Sequence, residues 1–218
     1  MNYEKSELYF LEKDVKREFG EELGGKIFLR SSKLCTELCV TTDYRGSKTL
    51  EWQLKKLVYP VLAYYKTLIA FGYRKDEALA LVRKETEKAA QDGAETLAAQ
   101  VRPVFAFRSF RVNVRNFIKY KFPPEAWRCV GLKVRRKRIS FRIESCLYCE
   151  ISKKFGCAEL AEVFCDYEKS AFSVGLRPKI VFESLGEVAR GYECCSFCFR
   201  KGDRKDRREN AAVCGERE

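Results

Sequence analysis

Apolar positions recur along the chain with two different periods. From Leu50 the run LEWQLKKLVYPVLAYYKTLIAFG places Leu54, Leu57, Val61, Tyr64 and Leu68 three or four residues apart. That spacing aligns them on one stripe and predicts a helix with a single buried face along this run. Pro60 inside the run predicts a kink or a break, because proline has no N–H to donate and its ring crowds the carbonyl four residues back. After Tyr73 the run RKDEALALVRKETEKAAQDGAETLAAQ is rich in strong helix formers, with Asp76 placed as an N-cap. Together the two runs read as a helical hairpin. The first thirty residues also read as helical, with Tyr9, Phe10, Val15 and Phe19 as apolar contacts and Gly24-Gly25 as a break. Residues 31–49 mix turn formers with two cysteines and read as a connector.

The second half changes period. Residues 104–121 fit a helix through Phe107, Phe110, Val114 and Phe117, with Arg108, Arg111, Arg115 and Lys119 on a separate basic face. Phe110, Val112 and Val114 also alternate as a strand would, but the helical pattern extends further and is favoured. Phe122-Pro123-Pro124 ends that element. After Gly131, KVRRKRISFRIESC alternates Ile139, Phe141 and Ile143 against Ser140, Arg142 and Glu144, which predicts a strand with one buried face. LYCEISKKFG and AELAEVFCDYEKSAF read as short helices, and KIVFESL with GYECCSFCFRK as an antiparallel pair. The fold class expected is α+β: a helical N-terminal half followed by a small, mainly antiparallel sheet with short helices. The expected organisation is a helical extension and connector over 1–49, one domain over 50–201, and a charged, disordered tail over 202–218.

Composition narrows the chemistry. None of the 218 residues is histidine, which removes Ser-His and Cys-His couples and every His-containing zinc site. Seven of the eleven cysteines fall between Cys146 and Phe199. The charged N-terminus lacks the apolar run of a signal peptide, and no stretch approaches the roughly 18–20 apolar residues of a membrane span. A soluble, cytoplasmic protein with no membrane partner is therefore expected, and in a reducing compartment its odd number of thiols reads as free. The net charge of +12 is concentrated: residues 101–142 hold 13 basic side chains against the single Glu125. Such a segment can attract a small anionic substrate. A nucleic-acid partner through 101–142 is the less favoured reading, because no recognised nucleic-acid motif accompanies the charge.

Two CxxC pairs, Cys146/Cys149 and Cys195/Cys198, raise the alternative of a four-thiolate zinc site. The second pair falls in a predicted strand, where residues three apart project to opposite faces. Cys146 sits where a strand gives way to a helix, so the positive end of that helix is expected to lower its thiol pKa, with Cys149 one turn later as a resolving partner. Among the acids, Glu162 and Glu168 share a helical face with Cys165, whereas Asp166 points elsewhere. No metal or other cofactor is assigned in the leading reading.

The strand leading to Cys146, Gly156 to Leu160 (GCAEL), Phe164-Cys165 and the late ARGYECCSF resemble, in order and spacing, the L-2-amino-thiazoline-4-carboxylic acid hydrolase family over roughly residues 55–200. The resemblance implies a hydrolase that opens a small cyclic amidine or thiazoline ring to an N-carbamoyl cysteine-type product. It implies catalytic roles for Cys146, Cys165, Glu168 and Cys195, with Glu168 as base and Cys146 or Cys165 as acid or nucleophile. It implies substrate contacts from Arg142, Gly191 and Phe197. The chain departs from the family pattern in having Glu168 for an aspartate, Cys195-Ser196-Phe197 for Cys-Asp-Phe, and Glu183 for an arginine, which leaves open a diverged or inactive member. The alternative function is a non-enzymatic small-ligand or Cys-ligated metal-binding protein.

Overall fold

The computed structural model describes residues 3–100, 105–203 and 206. In order, the helices are α1 (Leu11–Phe19), α2 (Glu21–Thr41), α3 (Lys48–Gln53), α4 (Tyr59–Ala70), α5 (Lys75–Gln100), α6 (Ala106–Lys121), α7 (Leu147–Lys154) and α8 (Leu160–Gly175). The strands are β1 (Trp127–Val134) and β2 (Arg138–Cys146) before α7, and β3 (Ile180–Leu185) and β4 (Cys195–Lys201) after α8. The architecture is α+β, helical first and then a small antiparallel sheet, as the periodicities predict. No helix among the described residues is long and apolar enough to cross a membrane. The chain divides into two compact units, 1–89 with 151–164, and 90–150 with 165–218.

In the first unit α2 packs on both α1 and α4. The predicted stripe of α4 and the turn before it is fully realised, with Leu54, Leu57, Val61, Tyr64 and Leu68 all buried. Pro60 does not break the helical run. The chain takes a π-helical turn over Leu54–Val58, in which the Tyr59 N–H reaches back to the Leu54 carbonyl, and Pro60 then stands in the first turn of α4, where it needs no donor. The Lys56 carbonyl, which Pro60 cannot satisfy, accepts from the Glu7 amide at 2.8 Å. The Tyr3 hydroxyl closes the same corner by donating to the Pro60 carbonyl at 2.7 Å.

Three local expectations are corrected in this unit. Helix α2 runs through both Gly24 and Gly25 and on through residues 31–41. Gly24 is required by proximity: a Cβ there would lie 2.4 Å from the Val15 carbonyl oxygen and 2.6 Å from the Lys16 Cα of α1. Residues 31–41 are helical because Ser31, Thr36 and Thr41 return their hydroxyls to carbonyls one turn back and so do not compete for the chain's direction. Asp76 lies inside α5, and the cap-like bond comes from Glu77, whose carboxylate accepts from the Arg74 amide at 2.9 Å.

Beneath α5, Glu85 and Asp14 are buried side by side, with Lys88 paired to Asp14 and Lys84 nearby. Burial, and then the adjacent Asp14 charge, push Glu85 up to about 7 from 4.5. The folded state therefore holds a proton on Glu85 that the unfolded chain releases. The associated stability is fully present below about pH 4.5 and is lost as pH rises to about 7. Denaturant titrations at pH 5 and pH 8 are expected to differ by about 2 kcal/mol in wild type, and Glu85→Gln should remove most of that difference by gaining stability at pH 8.

In the second unit the sheet order is β1-β2-β4-β3, with every pair antiparallel. One face carries Ile139, Phe141 and Ile143 of β2, Cys195, Phe197 and Phe199 of β4 and Phe182 of β3. Against it stand Phe110 and Phe117 of α6 and Phe172 of α8, forming one aromatic cluster. The helical reading of 104–121 holds, and Phe122 ends α6 before the two prolines. The segment expected as one strand after Gly131 is instead a hairpin. Its turn holds Arg135, Arg136 and Lys137, closed by the Arg135 amide on the Arg138 carbonyl at 2.8 Å, because consecutive cations cannot enter an apolar layer. Strand β1 escapes the period-two pattern because its register with β2 shifts between Arg128 and Cys129 and again between Val130 and Lys133. The expectation of a disordered tail falls mostly on residues 204, 205 and 207–218, outside the described residues.

Candidate active site

Strand parity decides which chemical groups meet. Cys195 and Phe197 project to the aromatic face of the sheet, and Ser196 and Cys198 to the other. At one end of the aromatic face Cys146 finishes β2, and Cys165 and Glu168, one turn apart on α8, come to the same place. These four residues line one small cavity of about 30 Å³, together with Trp127, Tyr148, Lys169, Ser184, Glu187 and Phe197. That is room for a single water.

Glu168 is 3% exposed. Its Oε1 accepts from the Tyr148 hydroxyl at 2.6 Å and lies 3.0 Å from Lys121 Nζ. Its Oε2 is buried with no hydrogen-bond partner among the described residues. A carboxylate with one oxygen anchored and the other uncommitted is the arrangement expected of a group that must take a proton from a small molecule beside it.

All three cavity thiols are pushed up from the ordinary cysteine value. For Cys146 the hydrogen bond shared with the Cys149 thiol is the leading cause, followed by burial. The Tyr148 and Cys149 amides at the start of α7 do act in the lowering direction expected of a helix N-terminus, but the neighbouring thiol and desolvation outweigh them. Cys165 is raised by burial and then by Cys146. Cys195 is raised by burial, although its Sγ accepts from the Val188 amide at 3.3 Å. Near neutral pH the cavity thus holds thiols, which donate protons, rather than thiolates.

The remaining residues singled out from the sequence lie elsewhere. Arg142 stands on the opposite face of the sheet beside Ser196, its Cα register partner, and within 3.8 Å of Glu144. Since Ser196 shares that face, the carboxylate of the family's Cys-Asp-Phe element would also point away from the cavity. Glu183 pairs with Arg200 at 2.8 Å. Gly191 closes the turn Val188–Arg190 at φ 86° and does not line the cavity. Cys198 is separated from Cys195 by the sheet, and among the described residues no three Cys, Asp or Glu side chains converge as a metal-binding group. The ten described cysteines are all free. Sequence reasoning missed Tyr148, Lys121, Lys169 and Glu187. Tyr148 carried a usable signal, being two residues beyond Cys146 at a helix start. The others are ordinary charges whose role is set by tertiary position: Glu187 is buried and bound by both Lys169 and Arg190, and Arg190 also holds Asp166 at 2.9 Å.

A buried carboxylate among protonated thiols, on an α+β frame without histidine, defines a site equipped for acid and base work. The family profile described as L-2-amino-thiazoline-4-carboxylic acid hydrolase matches residues 53–199, which contain every cavity residue, and the chain belongs to that family. It is thus a member of a hydrolase family. No curated protein matches the chain. Among solved structures it is similar to the Fe(II) unliganded H-NOX protein from K. algicida, at 11% identity over 91% of this chain and 96% of that one, with a TM-score of 0.28. A score that low carries no structural argument.

Proposed function

We propose that the chain hydrolyses a small cyclic amidine of the 2-amino-thiazoline-4-carboxylate type at the cavity between β2, β4 and α8. The observation that carries this reading is the meeting of Cys146, Cys165, Cys195 and Glu168 around one water-sized space. Glu168 takes a proton from the attacking water, whose oxygen bonds to the ring carbon between nitrogen and sulfur. The carbon–sulfur bond then breaks as a cavity thiol protonates the departing sulfur, the remaining hydroxyl proton passes to the ring nitrogen to give an N-carbamoyl cysteine, and the proton on Glu168 returns to the cavity thiolate. The raised thiols favour cysteine as acid over cysteine as nucleophile. Lys169, which lines the cavity, replaces Arg142 as the cation for the substrate carboxylate. Ligand sites ordinarily offer about 300–1,000 Å³, so the cavity must widen to admit a ring.

The test is turnover of L-2-amino-thiazoline-4-carboxylate, followed by mass detection of the N-carbamoyl product. Wild type should be active, and Ser196→Asp should change kcat/KM less than threefold, since residue 196 faces away from the chemistry. Absence of product in wild type together with activity in Ser196→Asp would overturn the placement of the site. Absence in both would remove the substrate.

A further inference from the structure

A second and larger concavity lies in the same unit, lined by residues that the proposed hydrolysis does not use. It measures about 490 Å³ and is bordered by Arg108 and Arg111 on the first turns of α6, Arg136 in the β1–β2 turn, Lys179 just before β3, Lys201 at the end of β4, and Phe105. Among the described residues none that lines it is acidic, and none of the five cations has an ion-pair partner. Five like charges facing one space repel one another. That arrangement costs free energy unless an anion of comparable charge enters.

The cations are held by backbone, which distinguishes this place from a solvated basic surface. The Lys201 amide donates to the Lys137 carbonyl and the Gly202 amide to the Lys179 carbonyl, both at 2.9 Å. The β1–β2 turn, the start of β3 and the end of β4 are thus tied together. Gly202 sits so closely that a Cβ would meet the Pro178 carbonyl oxygen at 1.9 Å. Phe105 adopts φ 62°, ψ 32°, a left-handed conformation rare for an aromatic residue, and is 72% exposed beside the cations. The first turn of the 16-residue α6, Ala106 to Arg108, lines the same concavity, and the positive end of the helix dipole adds to the field there.

We propose that this concavity binds a compact polyphosphate group, carried by a nucleoside di- or triphosphate or by inorganic polyphosphate. Convergence on one cavity suits several charges a few ångströms apart, whereas a nucleic-acid strand spreads single charges along a track. The three arginines offer forked donors to phosphate oxygens, and the exposed Phe105 ring is a stacking surface for a base.

Isothermal titration of the full chain with ATP, tripolyphosphate and a single-stranded RNA 12-mer tests the site. One ATP and one tripolyphosphate should bind per chain, and Arg111→Gln combined with Lys201→Gln should weaken both by about 100-fold, roughly tenfold per charged contact. Neither side chain has a hydrogen bond or ion pair among the described residues, so thermal unfolding of the variant should be little changed. Phe105→Ala separates the sources: weakening of ATP alone identifies a nucleotide, and equal retention of both identifies inorganic polyphosphate. The proposal fails if neither compound binds at 1 mM, if the double variant binds as wild type does, or if the RNA binds more tightly than both through the same residues.

Discussion

Replacing Glu168 by Gln is expected to lower kcat on the thiazoline carboxylate by about 10²–10⁴-fold, the usual contribution of a positioned general base, with KM changed little. The substitution is nearly isosteric. Its amide oxygen can still accept from Tyr148, which bonds Glu168 Oε1 at 2.6 Å, so Tyr148 and α8 keep their places. What the amide cannot do is receive a proton from water. Lys121, 3.0 Å from Oε1, loses its counter-charge but is partly exposed and can turn to solvent. Steady-state kinetics paired with circular dichroism make the comparison. Undiminished kcat in a folded Glu168→Gln protein would remove this residue as base and leave the thiols without a partner.

The second large effect concerns stability. Phe199→Ala should cost about 3–5 kcal/mol, the range for deleting a fully buried aromatic ring. Phe199 is 0% exposed and touches the rings of Phe110, Phe117, Phe172 and Phe182 at centroid distances of 5.1, 6.0, 5.8 and 5.0 Å. Those rings come from α6, α8 and β3, so no single neighbour can close the void. Phe199→Leu keeps much of the volume and should cost less than half as much. Denaturant midpoints of the two variants give the comparison. A loss under 1 kcal/mol in the alanine variant would mean that the cluster repacks.

Much of this arrangement was legible in the sequence, for identifiable reasons. The stripe from Leu54 to Leu68 and the alternation of Ile139, Phe141 and Ile143 each obey one period, and each element has a single buried face. The same parity separated Cys195 from Cys198. What the sequence hid was closeness between helices and irregularity within strands. Gly24 reads as a helix breaker unless the backbone of α1 is known to lie against it, and β1 loses its alternation to two register shifts. In the site, Cys146, Cys165, Glu168 and Cys195 stood out by residue type and motif. Arg142 was an error of facing: it is the arginine of a strand that ends at Cys146, but an even number of residues from it in a strand bulged near that end. Lys169 and Glu187 carry no local mark, because their importance comes from burial and mutual pairing.

The corner at Pro60 bears on where this protein can be cut. The family profile begins at residue 53, yet the carbonyl that Pro60 leaves without a donor is satisfied by Glu7, and Tyr3 bonds the Pro60 carbonyl across 57 residues of sequence. A fragment starting at residue 53 would forfeit both bonds and open to water the apolar face of α4 that α2 buries, at about 25 cal/mol for each Å² uncovered. The span that defines membership of the family is therefore shorter than the span that folds, and an expression boundary belongs upstream of Tyr3.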